Sequence, residues 1–264
     1  MNNPKVIVLR AAGCNCDYET GYAFQQAGAD VELVHVNQFV RGGRRLFDYH
    51  ILAIPGGFTY GDDISAGKIL ANELKLKMTE QLRQFITEGK LILGICNGFQ
   101  VLVKAGMLPD IQLANSTQRV TLTHNDSGKF EDRWVYLKAA SDSQCIFTRN
   151  MPEIIYLPVA HSEGKFVPES DGLIDQLKQN GQIVFTYVNA EGESSAYPWN
   201  PNGSVADIAG ICDSTGRVFG LMPHPERHIE PTQHPRWTRE GLKNQADGTF
   251  IFQNAVQYVR EVLF

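Results

Sequence analysis

Leu91-Ile92-Leu93-Gly94-Ile95-Cys96-Asn97-Gly98-Phe99-Gln100 is the stretch that decides the fold. Its apolar start is short and follows Gly89-Lys90, so Leu91 to Ile95 reads as a strand buried on both faces rather than as a helix. Gly94 and Gly98 stand two residues on either side of Cys96, the spacing of a nucleophile elbow. In such a strand-to-helix turn the central residue is strained and side chains at the flanking positions collide, which glycine avoids. The turn lifts the thiol above the carboxyl edge of the sheet. There the positive end of the next helix favours the thiolate over a thiol whose ordinary pKa is about 8.5. Cys96 is then a candidate nucleophile for an acyl carbon, with the N–H of Asn97 donating to the developing oxyanion. A small hydrophobe buried at a strand–helix junction explains the same Gly-x-Cys-x-Gly pattern about as well.

Upstream, Val6 to Leu9, Val31 to Val36 and His50 to Ile54 read as further buried strands. Between the first two, Asp17 is a candidate N-cap for a helix through Tyr22, Phe24 and Ala27, stopped by Gly28. The third strand runs into Pro55-Gly56-Gly57-Phe58, where paired glycines let the backbone approach a ligand; the N–H of Gly57 is the expected second oxyanion donor. Leu74, Met78, Leu82, Phe85 and Ile86 fall at helical spacing, and Gly89 closes that helix. Apolar strands alternating with helices predict an α/β fold with a mostly parallel sheet covered on both faces, whose ligands sit beyond the carboxyl ends of the strands.

The pattern changes at Leu108-Pro109. From Asn115 to Tyr187, segments such as Arg119–Thr123 and Arg133–Leu137 alternate in polarity and read as antiparallel strands added to the core sheet. His161 and Glu163, in Pro158-Val-Ala-His-Ser-Glu-Gly164, could line a site, and a structural or pocket-wall role fits them at least as well. Tyr197-Pro-Trp-Asn-Pro-Asn-Gly-Ser204 is turn chemistry throughout and reads as a rigid loop. In Met222-Pro223-His224-Pro225-Glu226-Arg227 the prolines push the chain toward extended geometry, which sets His224 and Glu226 on one face. A carboxylate so placed fixes the tautomer of an imidazole that serves as base. A surface turn competes with this reading, as does a His224–Glu226–His228 metal site supported by His234. Without a further ligand cluster, and with Cys14-x-Cys16 too short a motif to supply one, no metal is expected. The polar segment from Arg227 to Gly248, about 227–248, reads as a long surface loop, and a helix from about Thr249 carries the stripe Phe252, Ala255, Val256, Val259, Val262 and Leu263.

Composition narrows the function classes. The 24 Lys and Arg residues are scattered apart from Arg41-Gly-Gly-Arg44-Arg45, and the net charge is −5, so neither nucleic acid nor an anionic membrane is an expected partner. Five cysteines at irregular spacing predict reduced thiols and a cytoplasmic setting; no stretch reads as a signal peptide or membrane span. With 264 residues and 43% of them hydrophobic, one domain over 1–264 is expected.

Pro55-Gly56-Gly57-Phe58, Gly94-Ile95-Cys96-Asn97-Gly98-Phe99-Gln100 and Pro223-His224-Pro225-Glu226-Arg227 together resemble the class I glutamine amidotransferase family. The Asn97-Gly98-Phe99-Gln100 version of the elbow and the Asn-Pro-Asn-Gly loop narrow the resemblance to the glutaminase subunits of phosphoribosylformylglycinamidine synthase, in purine biosynthesis, and Gly13-Cys-Asn-Cys-Asp17 and Ala160-His161-Ser-Glu163-Gly164 continue it. The likeness runs from residue 5 to about 227; Cys14 and Ser162 depart from the usual threonine and glycine. It implies a flavodoxin-like doubly wound fold and hydrolysis of L-glutamine through a cysteinyl thioester. Cys96 would be the nucleophile, His224 the base and Glu226 its orienting carboxylate, with Gly57 and Asn97 holding the oxyanion and Gln100 and Gly56 shaping the substrate pocket. It also implies a synthetase partner that holds ATP and magnesium, since no G-x-x-x-x-G-K-[ST] segment occurs here, and leaves a small third subunit open. An amidotransferase of another pathway, a cysteine hydrolase of this fold and a catalytically silent binding subunit are the alternatives.

Overall fold

The computed structural model describes residues 3–113 and 118–264. The chain opens on β1 (Lys5–Arg10), α1 (Asp17–Gln26), β2 (Asp30–His35), a short α2 (Val36–Val40), β3 (Ile51–Ile54), α3 (Lys68–Lys77), α4 (Thr79–Thr87), β4 (Leu91–Ile95) and α5 (Asn97–Lys104). It continues through β5 (Val120–Thr123), β6 (Glu131–Ala139), β7 (Ile154–His161), β8 (Lys165–Pro168), α6 (Asp171–Gln179), β9 (Ile183–Val188), β10 (Ile208–Cys212), β11 (Val218–Leu221), the single turn α7 (Trp237–Glu240) and α8 (Thr249–Val262).

One nine-stranded sheet runs β2-β1-β3-β4-β11-β10-β9-β6-β7. Pairing is parallel from β2 across to β11 and antiparallel from β11 to β7. The order β2-β1-β3-β4 with β11 fifth is the flavodoxin-like arrangement expected from the sequence. Its cause is legible residue by residue. Val6, Ile7, Val8 and Leu9 are fully buried, as are Leu91, Ile92 and Leu93, because helices cover both faces. Each such side chain contributes about 1.5–3 kcal/mol on leaving water.

Strand order reverses between β1 and β3, so the loops after these strands part company with the sheet side by side. They are stitched by an isolated bridge between Cys14 and Gly57, by Phe58 N–H donating to the Gly13 carbonyl (2.9 Å) and by Cys16 N–H donating to the Gly56 carbonyl (3.3 Å). A crevice at this reversal, outside the carboxyl ends of β1, β3, β4 and β11, is where such sheets bind ligands.

Several elements differ from the sequence reading. Asp17 lies inside α1, not at its cap: Cys16 is the N-cap residue, and Asp17 pairs with Arg10 at 2.6 Å. The single helix expected over Leu74 to Ile86 is two, α3 and α4, which meet at Met78 where φ reaches −127°. There the Thr79 hydroxyl takes over the Lys75 carbonyl that the broken helix releases. Of the expected added strands, β6, β7 and β9 join the main sheet, but β5 pairs with β8 in a separate two-stranded ribbon; Asn115 lies outside the described residues. The segment 227–248 runs over the surface as expected, exposed throughout 235–244, but it is anchored along its length. It forms turns at Pro231–Gln233 and Trp237–Glu240, buries His228 and His234 against Trp134 and Tyr156, and lets Asp247 accept from Tyr156 N–H at 2.9 Å. The α8 stripe is buried at Phe252, Ala255, Val256 and Val259, whereas Val262 is exposed at the frayed end. Among the described residues no helix is long and apolar enough to cross a membrane.

Candidate active site

Cys96 leaves β4 with φ +52° and ψ −106°, a conformation an L-residue holds only where its surroundings impose it. They do so from both sides. Its N–H donates to the Leu221 carbonyl of β11 (2.8 Å), and its own carbonyl accepts the N–H groups of Phe99 (3.0 Å) and Gln100 (3.2 Å) in the first turn of α5. The flanking glycines are required by contact: a Cβ on Gly98 would stand 1.9 Å from the Ile54 carbonyl oxygen, and one on Gly94 would stand 2.7 Å from the Gly98 carbonyl oxygen. The thiol is buried, 3.7 Å from the Ala160 carbonyl.

Gly57 has φ +139°, and a Cβ there would meet the Gly13 carbonyl oxygen at 2.7 Å and the Asn15 nitrogen at 2.8 Å. A Cβ on Gly56 would come within 2.7 Å of His224 Cε1 and 3.1 Å of Cys16 Sγ, so Gly56 is the space the imidazole occupies.

His224 is fixed by its N–H donating to the Pro158 carbonyl at 2.8 Å. Its Nδ1 donates to Glu226 Oε1 at 2.7 Å, with both side chains buried. The extended geometry predicted for this pair holds only at His224 (φ −105°, ψ 90°), because Pro225 starts a 3₁₀ turn through Arg227. The turn, not strand alternation, swings the carboxylate back beneath the ring. With Nδ1 bearing the proton, the lone pair of the neutral ring lies on Nε2, which is buried without a hydrogen-bond partner among the described residues. Burial alone opposes charge on this imidazole, but the Glu226 carboxylate and then the neighbouring Cys96 outweigh it and hold its pKa well above the usual histidine value.

Gly57, Cys96 and His224 line one cavity of about 250 Å³ together with Phe58, Phe130, Asp132 and Arg227. That is the space of roughly eight water molecules. A larger hollow of about 440 Å³ beside Arg44, Phe47 and Gln84 offers neither nucleophile nor base. Asn97 and Gln100 stand behind the cavity wall. Asn97 Nδ2 donates to Gln100 Oε1 (3.0 Å) and to Asp62 Oδ1 (3.1 Å), its Oδ1 accepts from the Thr59 hydroxyl (2.6 Å), and Gln100 Nε2 donates to the Glu163 carbonyl (2.6 Å). These bonds tie the elbow to the loop after β3 and to the loop after β7.

Two residues have a larger place here than the sequence reading gave them. Cys16, read only as half of a weak Cys-x-Cys motif, lies 4.0 Å from His224 Nδ1 and accepts from Arg227 Nη2 at 3.2 Å; burial pushes its thiol up to about 11. Its position directly after β1, at the reversal of strand order, was the available signal. His161 is fully buried, and Asn125 settles its tautomer. Asn125 Nδ2 donates to the carbonyls of Lys129 (2.9 Å) and His161 (2.8 Å) while Oδ1 accepts the Gly164 N–H (3.0 Å), so the ring contact at 3.1 Å is Nδ1–H donating to Oδ1. Burial and the facing His224 hold the His161 pKa down at about 3. His228 does not join His224 in a ligand set, since its Nδ1 donates to the Tyr156 carbonyl at 2.9 Å.

The sequence pattern of the CobB/CobQ-like glutamine amidotransferase domain matches residues 3–259. The phosphoribosylformylglycinamidine synthase subunit PurQ of Dehalococcoides mccartyi is 48% identical over 263 residues, covering 99% of this chain and 100% of that protein. The subunit of the same name from Archaeoglobus fulgidus is 45% identical over 272 residues, 98% of each chain. A chain of the solved PurLQS structure from Thermotoga maritima superposes with a TM-score of 0.73 at 31% identity, covering 97% of this chain and 99% of that one. A glutamine amidotransferase structure from the same organism, at 16% identity and a TM-score of 0.51, is similar in fold alone. On full-length identity of this order the chain belongs to the CobB/CobQ-like glutamine amidotransferase family and, within it, to the glutaminase subunits of phosphoribosylformylglycinamidine synthase.

Proposed function

We propose that Cys96, His224 and Glu226 carry the glutaminase reaction of this subunit and that the backbone N–H groups of Gly57 and Asn97 hold its oxyanion. L-Glutamine enters the cavity and Cys96 Sγ attacks the side-chain amide carbon. His224 Nε2 takes the thiol proton and delivers it to the departing nitrogen, so that ammonia leaves and a glutamyl thioester remains. The same imidazole then deprotonates a water, which attacks the thioester carbon; sulfur leaves with the proton and glutamate is released. Glu226 keeps the proton on Nδ1 through both steps.

The observation that carries this reading is the alignment of groups on one cavity: a strained cysteine and an imidazole whose far nitrogen is bound to a buried carboxylate at 2.7 Å. It also favours Cys96 over Cys16 as nucleophile. Cys16 faces the nitrogen already committed to Glu226, and its thiol is held up at about 11. Gly56 keeps room for the ring, and Gln100 shapes the substrate pocket through the Glu163 carbonyl it holds. The whole chain, 1–264, acts as one amidotransferase domain in the cytoplasm, where its free thiols stay reduced. Ammonia passes to a synthetase subunit that supplies ATP and magnesium and activates formylglycinamide ribonucleotide, with a small third subunit completing the assembly.

The test is C96A in the reconstituted complex. Glutamine-dependent synthesis is expected to vanish while ammonia-dependent synthesis persists; glutamine use that survives the substitution rejects Cys96 as nucleophile.

A further inference from the structure

Cys16 Sγ, His224 and a Glu226 carboxylate oxygen each offer a donor atom within 4.8 Å of the others, and all three residues are buried. Of the Glu226 oxygens, Oε1 is taken by His224 Nδ1 but Oε2 is buried without a hydrogen-bond partner among the described residues. A buried, unpaired carboxylate oxygen is costly unless something meets it. Cys16 Sγ–H donates to Asn15 Oδ1 at 3.1 Å and Arg227 Nη2 lies against the same sulfur at 3.2 Å; burial keeps this thiol protonated, so a metal that takes the sulfur must displace its proton.

We propose that Cys16, His224 Nδ1 and Glu226 form a binding site for a thiophilic divalent cation, zinc or cadmium, and that occupancy switches the glutaminase off. Sulfur, imidazole and carboxylate donors about 2.0–2.3 Å from zinc in a tetrahedron stand roughly 3.5 Å apart, so small side-chain movements suffice, opening the 2.7 Å His224–Glu226 contact and drawing Cys16 in from 4.0 Å. Three protein donors leave one position open, and Cys16 and His224 both line the cavity, which has room for a water to take it. The set is wrong for magnesium, which takes oxygen donors in an octahedron.

Binding is balanced by proton release. Cys16 gives up its thiol proton, and the cation displaces the proton from His224 Nδ1, which moves to Nε2 in a neutral ring. An imidazole protonated at Nε2 has no lone pair for the Cys96 thiol, so the base is lost without any change at Cys96. The inhibitory step rests on the reading of His224 as base; the binding step does not.

The experiment titrates cadmium into the full chain and into C96A, C16A and C16S, following the ultraviolet thiolate-to-cadmium absorption, with cadmium and zinc inhibition of glutaminase measured in parallel on the active variants. The absorption is expected in wild type and C96A and absent in C16A and C16S. Each active variant's zinc sensitivity is referred to its own metal-free rate, and loss of Cys16 is expected to weaken inhibition about tenfold or more. Magnesium should neither inhibit nor displace cadmium. An absorption that disappears in C96A but survives in C16A and C16S overturns the site. So does the absence of any absorption below millimolar cadmium. Cadmium bound through Cys16 without inhibition would keep the site and reject His224 as the base, which separates the two failures.

Discussion

Two of the buried histidines, His224 and His161, have their pKa values moved in opposite directions by what stands beside them. His224 has a carboxylate at 2.7 Å and is pushed up; His161 has only the neutral Asn125 amide and a like-charged neighbour, and is held at about 3. For His224 the consequence is catalytic. In E226Q the pull that keeps the proton on Nδ1 is lost, and glutaminase kcat is expected to fall on the order of a thousand-fold or more, with glutamine KM little changed. For His161 the consequence is a pH dependence of stability. Its folded pKa lies below the unfolded value of 6.5, so its contribution is fully present above that value and is lost as pH falls toward about 3. In that window the unfolded chain binds one more proton than the folded one, a slope of about 1.4 kcal/mol per pH unit. Urea unfolding at a series of pH values should show a slope shallower by about one proton in H161Q than in wild type; equal slopes would reject the assignment.

Among the elements, the elbow is the one whose geometry leaves no slack. G98A places a Cβ 1.9 Å from the Ile54 carbonyl oxygen and must separate α5 from β3, which is expected to cost about 1–3 kcal/mol or more in urea denaturation. G172A makes the same chemical change in the first turn of α6, where the nearest atom outside the helix is 3.9 Å away, and should be neutral or stabilising by up to about 1 kcal/mol. This contrast also shows what a sequence can carry. Gly94-x-Cys96-x-Gly98 is legible because local sterics alone dictate it. The His224–Glu226 pairing was legible as an association but not as geometry, since the 3₁₀ turn after Pro225 depends on what packs around it. Cys16 was legible only as a residue of the loop after β1, and His161 only as a structural or pocket-wall residue. Nothing within a few residues of either says that β1 and β7, far apart in the sheet order, end at one crevice. The break at Met78 was hidden because apolar spacing continues across it, and only the backbone reveals the change of direction.

In the molecule as a whole the catalytic crevice is a meeting of two half-sheets. The parallel half contributes the loops after β1 and β3 and the elbow after β4. The antiparallel half contributes the end of β7, whose following loop is braced from behind by Asn202, which donates to the Gly164 carbonyl at 2.9 Å. N202A leaves that carbonyl buried and unpaired; a loss of about 1–3 kcal/mol is expected, together with a lower glutaminase kcat because the loop also accepts from Gln100 and follows Ala160 of β7, whose carbonyl meets Cys96. A thermal melt alongside steady-state kinetics checks both halves of that expectation. The central claim is that this convergence makes Cys96, and not the neighbouring Cys16, the sulfur that meets glutamine. It is tested most directly by treating the full chain with an electrophilic glutamine analogue and locating the adduct by peptide mass spectrometry. The account predicts a single adduct on Cys96 that excess L-glutamine prevents; an adduct on Cys16, with Cys96 unmodified, would contradict it.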